Sequence, residues 1–253
     1  MARKEREPAV GTAFEEEARR AGYRFVAGLD EVGRGALAGP VVAAALVLDP
    51  SRPLPAGLND SKKLTRLQRE RIAAELRETA LCYAVGFVPP EEIDRTNILV
   101  ATRRAMQLAL EQLCPAAEYL LIDALQLREV ALPQRAIIGG DACCASIAAA
   151  SVVAKTHRDA LMRQYDAEFP HYGFARHVGY GTREHWAALA AHGPCAIHRR
   201  SFRGVLAEEQ IAEGDRLERC GAEAIDETEP AEPAGGAAPG ATAADEAGEG
   251  ARG

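Results

Sequence analysis

Apolar positions change period several times along this chain, and the changes mark out its elements. Tyr23 to Leu29 carries Phe25, Val26, Ala27 and Leu29 in a dense run that predicts a short buried strand. Val41 to Leu48 is continuously apolar and predicts a second, with Pro50, Pro53, Pro55 and Gly57 marking the loop after it. Thr65 to Ala80 sets Leu67, Ile72, Ala73 and Leu76 against a charged face, a helix that Thr65 is placed to cap. Cys82 to Val88 reads as a third strand, stopped by Pro89 and Pro90 and followed by a helical turn over Glu91 to Thr96. Asn97 to Leu113 is an amphipathic helix ended by Pro115. Two short strands follow, Tyr119 to Ile122 and Arg135 to Ile138, ending at Asp123 and at Gly139-Gly140-Asp141. An alanine-rich helix is predicted over Ala145 to Phe169 and another over Thr182 to His192, with a short helix, Phe14 to Ala21, before the first strand.

Strands that adjoin early and helices that intersperse later describe an α/β layered fold around a mixed sheet. A doubly wound nucleotide fold is disfavoured: Gly33-Arg34-Gly35 has no third fingerprint glycine and opens no helix. Three regions are expected: a polar segment 1–22, a catalytic domain 23–206 and a tail 207–253 of Glu, Ala, Gly and Pro. The tail has too little apolar surface to offset the entropy of ordering it, which predicts disorder.

Charge divides at the same boundary. Net charge is −7, but residues 207–253 hold 13 acidic and 3 basic side chains, against 24 acidic and 27 basic before them. The body is mildly basic, which permits a nucleic-acid partner without demanding one. No apolar run is long enough to span a bilayer, and the charged start, Met1 to Pro8, leads into no signal-like stretch. A cytoplasmic monomer is the expectation. The six cysteines form no CxxC pair and read as reduced thiols.

Four acids stand out by position: Asp30 and Glu31 at the end of the first strand, Asp123 after the fourth and Asp141 before the long helix. Strand-end acids in an α/β fold gather at one sheet edge. Neighbouring residues on a strand point to opposite faces, so Asp30 and Glu31 need a local bend to share a site, and Gly28 and Gly33 are placed to supply it. Clustered carboxylates raise one another's pKa unless a cation lies between them, and hard oxygen donors suit Mg²⁺ or Mn²⁺. Phosphodiester hydrolysis by two ions about 3.5–4 Å apart needs this donor set. Taken singly, each acid equally suits a turn or cap, Asp141 as the cap of the following helix.

The segments around these acids are more specific. Gly28-Leu29-Asp30-Glu31-Val32-Gly33-Arg34-Gly35, running on through Ala38-Gly39-Pro40-Val41, resembles the opening motif of the ribonuclease HII family. Asn59-Asp60-Ser61-Lys62-Lys63-Leu64, Leu121-Ile122-Asp123-Ala124-Leu125, and Gly140-Asp141 with Ser146 to Lys155 and Arg158-Asp159 are similar to its next three. His177-Val178-Gly179-Tyr180-Gly181-Thr182 and His198-Arg199-Arg200-Ser201-Phe202 complete a series in the family's order over residues 23 to 204.

The resemblance implies a ribonuclease H-like α/β/α fold with a C-terminal helical extension. It implies metal binding by Asp30, Glu31, Asp123 and Asp141. The implied reaction is cleavage on the 5′ side of a ribonucleotide in an RNA–DNA hybrid or a DNA duplex containing ribonucleotides, leaving 3′-hydroxyl and 5′-phosphate, as in ribonucleotide excision repair. The 2′-hydroxyl must be read, since it alone tells RNA from DNA. Gly33, Arg34 and Gly35 resemble the loop that reads it, and Tyr180 matches the tyrosine that packs on the next, deoxy sugar. Lys62, Lys63, Lys155, Arg158 and Arg183 are candidate phosphate contacts, with Lys155 and Arg158 on one helix face; the bland alternative is solvated surface charge. Many relatives carry lysine where this chain has Gly139 and Val178, which bears on duplex affinity and not on the acids. Two alternatives are a ribonuclease HIII-like hybrid nuclease, whose extra N-terminal domain is not expected with 24 residues before Phe25, and a non-catalytic nucleic-acid-binding module. No sliding-clamp partner is expected, as the tail lacks paired aromatics.

Overall fold

The computed structural model describes residues 10–206. The expected disordered tail, and the charged start up to residue 9, lie outside the described residues.

Five strands, β1 (Val26–Val32), β2 (Val41–Val47), β3 (Cys82–Val88), β4 (Tyr119–Asp123) and β5 (Gln134–Ile137), form one sheet in the order β3-β2-β1-β4-β5. β1, β2 and β3 are antiparallel neighbours, while β4 joins β1 and β5 joins β4 in parallel. The helices are α1 (Ala13–Arg20), α2 (Arg66–Thr79), α3 (Pro90–Arg95), α4 (Ile98–Glu111), α5 (Ala145–Glu168), α6 (Phe174–His177) and α7 (Arg183–His192). The period changes predicted all but α6, which is a single turn.

Side chains alternating along the strands feed two cores. Ala27, Leu29, Ala43, Ala45 and Val47 pack on Ala101, Ala105, Met106 and Ala109 of α4. From the opposite face, Ala44 and Leu46 pack on Ala145, Ala149 and Val153 of α5 and on Ile72, Ala73 and Leu76 of α2. The result is three layers, α/β/α. Alanine dominates the α5 contact because the helix lies very close to β1: a Cβ at Gly28 would fall 2.1 Å from the carbonyl carbon of Ser146. Any side chain there would force the helix off the sheet.

The ends of the helices follow local chemistry. Thr65 and Gln68 form a reciprocal capping box at α2, and Asn97 Oδ1 accepts from the amides of Leu99 and Val100 at α4. α5 is capped from a distance: Glu15 Oε1, on α1, accepts from the amide of Ser146 at 2.6 Å. A smaller core of Leu37, Met162, Tyr172, Phe174, Leu189 and Ile197 fastens the segment after α5 to the C-terminal half of that helix. The five described cysteines are free thiols. Among the described residues no helix is long and apolar enough to cross a membrane.

Candidate active site

The β1–β4 ladder ends at the pair Leu29–Ile122. The next positions of that register are Asp30 and Asp123, so two of the four acids stand where the strands part. β1 itself runs on without a break, pairing Asp30 with Ala44 and Glu31 with Ala43 of β2. The expected bend at Gly28 and Gly33 is therefore not what brings Asp30 and Glu31 to one site. The departure of β4 opens a cavity at the strand end that receives both faces of β1.

This cavity, of about 470 Å³, is lined by Asp30, Glu31, Gly33, Arg34, Gly35, Ser61, Lys62, Asp123, Ser151, Lys155 and Tyr180, with Val32. Asp141 adjoins it through Lys62, whose Nζ donates to Asp141 Oδ2 at 3.0 Å. Asp141 does not cap α5: it sits in the single turn Gly140–Ala142, and Cys144 occupies the cap position.

Each acid has a hydrogen-bond donor of its own. Asp30 Oδ1 accepts from the Glu31 amide, Glu31 Oε1 from Arg34 at 3.0 Å, and Asp123 Oδ1 from the Gly140 amide at 2.8 Å. Burial, then the charges of Glu31 and Asp123, pushes the Asp30 carboxyl well above its ordinary range, against a hydrogen bond from Ser151. Burial raises Glu31 too, opposed by Arg34 and reinforced by Asp123. For Asp123 burial again leads, with Asp141 adding to it and the Gly140 amide and Lys62 opposing. Lys62 is raised: burial pulls it down, but its bond to Asp141 and the charges of Asp141, Asp60 and Asp30 outweigh that.

Among the described residues no three acidic, histidine or cysteine side chains form a ready-made cage for an ion. The donor set still fits a hard dication. Three mutually repelling carboxylates line one cavity, and Glu31 Oε2 is buried there with no hydrogen-bond partner. Such an ion takes one or two protein carboxylates and completes its shell with water and substrate oxygens.

The glycine-rich turn is built on two buried arginines. Arg158 is fully buried. It donates to the carbonyls of Pro40 at 3.0 Å, Val178 at 2.8 Å and Ala38 at 3.0 Å. Its reading as a phosphate contact is therefore corrected: every arm of the guanidinium is engaged by backbone, and none faces solvent. Gly33 lies over it with φ +89°, and a Cβ there would be 2.2 Å from Arg158 Nε. Arg199 donates to the carbonyls of Gly39 and Arg34 from the other side. Sequence reasoning assigned Arg199 no role, although its motif was visible.

Of the remaining basic candidates, Lys155 lines the cavity and pairs with Asp159 at 2.7 Å; burial lowers its pKa, partly offset by that aspartate. Lys63 and Arg183 are exposed and do not line the cavity. Ser61 and Ser151, unassigned from sequence, share a 2.9 Å hydrogen bond in its wall. Tyr180 is about one-third exposed at the rim, its ring 5.7 Å from the Arg158 guanidinium carbon.

An acid-lined cavity at the parted edge of an α/β/α sheet, with a glycine turn and an aromatic ring at its rim, defines a nuclease-like site. A model of the ribonuclease HII family matches residues 27–205. Ribonuclease HII of Syntrophotalea carbinolica is 53% identical over 192 residues, 76% of this chain and 91% of that one. Ribonuclease HII of Xanthobacter autotrophicus is 57% identical over 186 residues, 74% of each. Ribonuclease H2 from Pyrococcus horikoshii OT3 superposes with a TM-score of 0.62 at 26% identity, covering 76% of this chain and 99% of that one. The chain belongs to the ribonuclease HII family, its fold is ribonuclease H-like, and it is an endoribonuclease of the ribonuclease H type.

Proposed function

We propose that the chain hydrolyses the phosphodiester on the 5′ side of a ribonucleotide, in RNA–DNA hybrids and in DNA with embedded ribonucleotides. The observation that carries this reading is the convergence in one cavity of Asp30, Glu31 and Asp123 with Gly33-Arg34-Gly35 and Tyr180. Asp30, Glu31, Asp123 and Asp141 would hold Mg²⁺ or Mn²⁺. Bound there, such ions supply Lewis-acid activation of water and stabilisation of the leaving oxygen.

The chain's own residues do the rest. Asp30, Glu31 and Asp123 bring carboxylate oxygens together where a dication is wanted. Gly33 and Gly35 let backbone groups approach a 2′-hydroxyl closely, since no Cβ intervenes. The Tyr180 ring packs on the following deoxy sugar, and Lys62 and Lys155 contact phosphate. Water oxygen joins phosphorus as the bond to the upstream O3′ breaks, leaving 3′-hydroxyl and 5′-phosphate. A cytoplasmic monomer removing ribonucleotides from DNA is the role this chemistry suits.

The test is cleavage of an end-labelled duplex carrying one ribonucleotide, with Mg²⁺, with Mn²⁺ and with chelator. A single cut on the 5′ side, present with metal and absent with chelator, is expected. Cleavage that persists in chelator would overturn the metal role. Cleavage confined to long hybrids would overturn the single-ribonucleotide substrate and favour a ribonuclease HIII-like range.

A further inference from the structure

Beneath Tyr180 lie three histidines that the proposed chemistry does not use. His177, His185 and His198 are all buried, with His177 and His185 stacked at 4.5 Å between centroids. Phe174 touches all three rings. A set of buried imidazoles is costly unless each ring nitrogen is matched to a donor or acceptor. Here the matching can be followed atom by atom.

The Cys195 amide points at His198 Nδ1, 2.9 Å away. A backbone N–H only donates, so His198 Nδ1 is an acceptor and its proton sits on Nε2. His198 Nε2 lies 3.0 Å from His185 Nε2 and must donate to it. His185 Nε2 is then the acceptor, which puts the His185 proton on Nδ1. That atom is 3.0 Å from the Tyr180 carbonyl oxygen, to which it donates. The direction of every bond in the relay follows from one backbone amide.

The other polar groups of the turn are equally tied. The Tyr180 amide donates to the His177 carbonyl at 3.0 Å, and the Gly179 carbonyl accepts from Leu37 at 2.8 Å. The Gly179 amide meets His177 Nδ1 at 3.3 Å, so His177 donates from Nε2 to the Tyr172 carbonyl at 2.8 Å. The Tyr180 carbonyl also accepts from the Thr182 amide at 2.8 Å, within its own turn; among the described residues the relay is its link to the loop 193–199, which carries His198 and also braces Gly39 and Leu37 behind the glycine turn.

We propose that His185 and His198 are positioning residues: a directed, uncharged relay from the Cys195 amide to the Tyr180 carbonyl sets the Tyr180 ring against the glycine turn and thereby sets discrimination at a ribonucleotide–deoxynucleotide junction. The proposal rests on the reading of Tyr180 as the group that packs on the deoxy sugar.

Two conservative variants separate the relay from mere packing. In His185→Asn the side-chain amide lies at the Nδ1 position and still donates to Tyr180. In His185→Gln the amide lies at the Nε2 position and that donor is lost. The measurement is the ratio of single-ribonucleotide to long-hybrid cleavage, with Mg²⁺, in the full chain. His185→Asn, which keeps the bond to Tyr180 and loses the one from His198, should lower the ratio less than His185→Gln, which loses the bond to Tyr180 and should lower it by about tenfold, the equivalent of one lost hydrogen bond. Equal ratios for the two variants, both folded by thermal melt, would overturn the relay. ¹⁵N spectra of the imidazoles give a readout without substrate: His185 should carry its proton on Nδ1 and His198 on Nε2, and the reverse pattern overturns the proposal. Tyr180→Ala distinguishes the underlying reading. If it leaves the ratio unchanged while the tautomers are as derived, the sugar-packing role of Tyr180 is overturned and the relay stands only as a tether of the turn.

Discussion

The two sides of the cavity solve opposite electrostatic problems. On the sheet side, Asp30, Glu31 and Asp123 crowd together with like charges, each with a raised pKa, and one buried oxygen of Glu31 has no partner. On the rim side, His177, His185 and His198 are each matched to backbone or to one another, and burial holds His185 and His198 in their neutral forms. The sheet edge stores unmet demand for positive charge, and the imidazoles of the rim meet theirs internally. A site proposed to capture ions and a duplex needs the first to be hungry and the second to be stiff. Substitutions should therefore cost function and little stability on one side, and stability first on the other.

The largest effect is expected from Asp123→Asn. The amide oxygen can still accept from the Gly140 amide, so the local fold has what it needs. The charge that repels Asp141 and draws cations is gone. Cleavage of the single-ribonucleotide duplex should fall by about a hundredfold to a thousandfold, the scale for removing one preorganised electrostatic group from a catalytic site. Thermal melting of the metal-free protein should not fall, and a rise is expected as repulsion is relieved. A large loss of melting temperature would show Asp123 to be a structural residue.

Arg158→Lys should act the other way round. One ammonium cannot reach the three carbonyls that the guanidinium serves from two segments. Each buried carbonyl left without a donor costs roughly 1–3 kcal/mol, so urea unfolding should show a loss of several kcal/mol. Salt dependence of duplex binding should be unchanged, because Arg158 touches no solvent. A shifted salt slope with full stability would restore it as a phosphate contact.

That residue shows where the sequence stops being legible. Strands, helices and their caps follow from short-range period and capping chemistry, and Thr65, Asn97 and Thr182 cap as their positions suggest. The acids were legible because strand ends are, and because the motifs around them are distinctive. Arg158 was not. Three residues from Lys155 on a helix, it reads as a surface charge, and what buries it is the 36–40 segment and the C-terminal core, more than a hundred residues away in one case. The same holds for the histidine relay, whose partners are backbone groups of turns that no periodicity predicts. Nor could the sequence show that β4, and not a bend in β1, opens the cavity, since that depends on where the interstrand ladder ends.

The rim also carries a pH signature of smaller size. His198 is lowered from 6.5 to about 4 by burial, then by the neighbouring His185 and, less, His177. The unfolded chain takes up that proton near pH 6.5 and the folded chain only near 4, so the contribution to stability is whole above 6.5 and drains away as pH falls through the window. The slope is about 1.4 kcal/mol per pH unit for one proton. His198→Asn should be less stable at neutral pH but should lose less on acidification from 6.5 to 4 than the wild type. Parallel stability–pH curves for the two would mean that His198 is not held neutral in the fold.

The smallest effect on stability is expected from Lys62→Ala. Its ammonium pairs with Asp141 at 3.0 Å, but its side chain is 78% exposed, so solvent screens the pair. Exposed pairs of this kind contribute about 0–1 kcal/mol, and the melt should scarcely move. Binding is another matter if Lys62 meets phosphate: the salt dependence of duplex affinity should lose about 0.9 from its logarithmic slope, one counterion's worth. Measured in calcium to suppress turnover, an unchanged slope with weakened metal affinity would place Lys62 with the acids, as the group that orients Asp141, and the division between hungry edge and stiff rim would gain a member on the edge. A changed slope with metal affinity intact would make it a phosphate ligand, and Asp141 would then be freed from Lys62 when the duplex arrives.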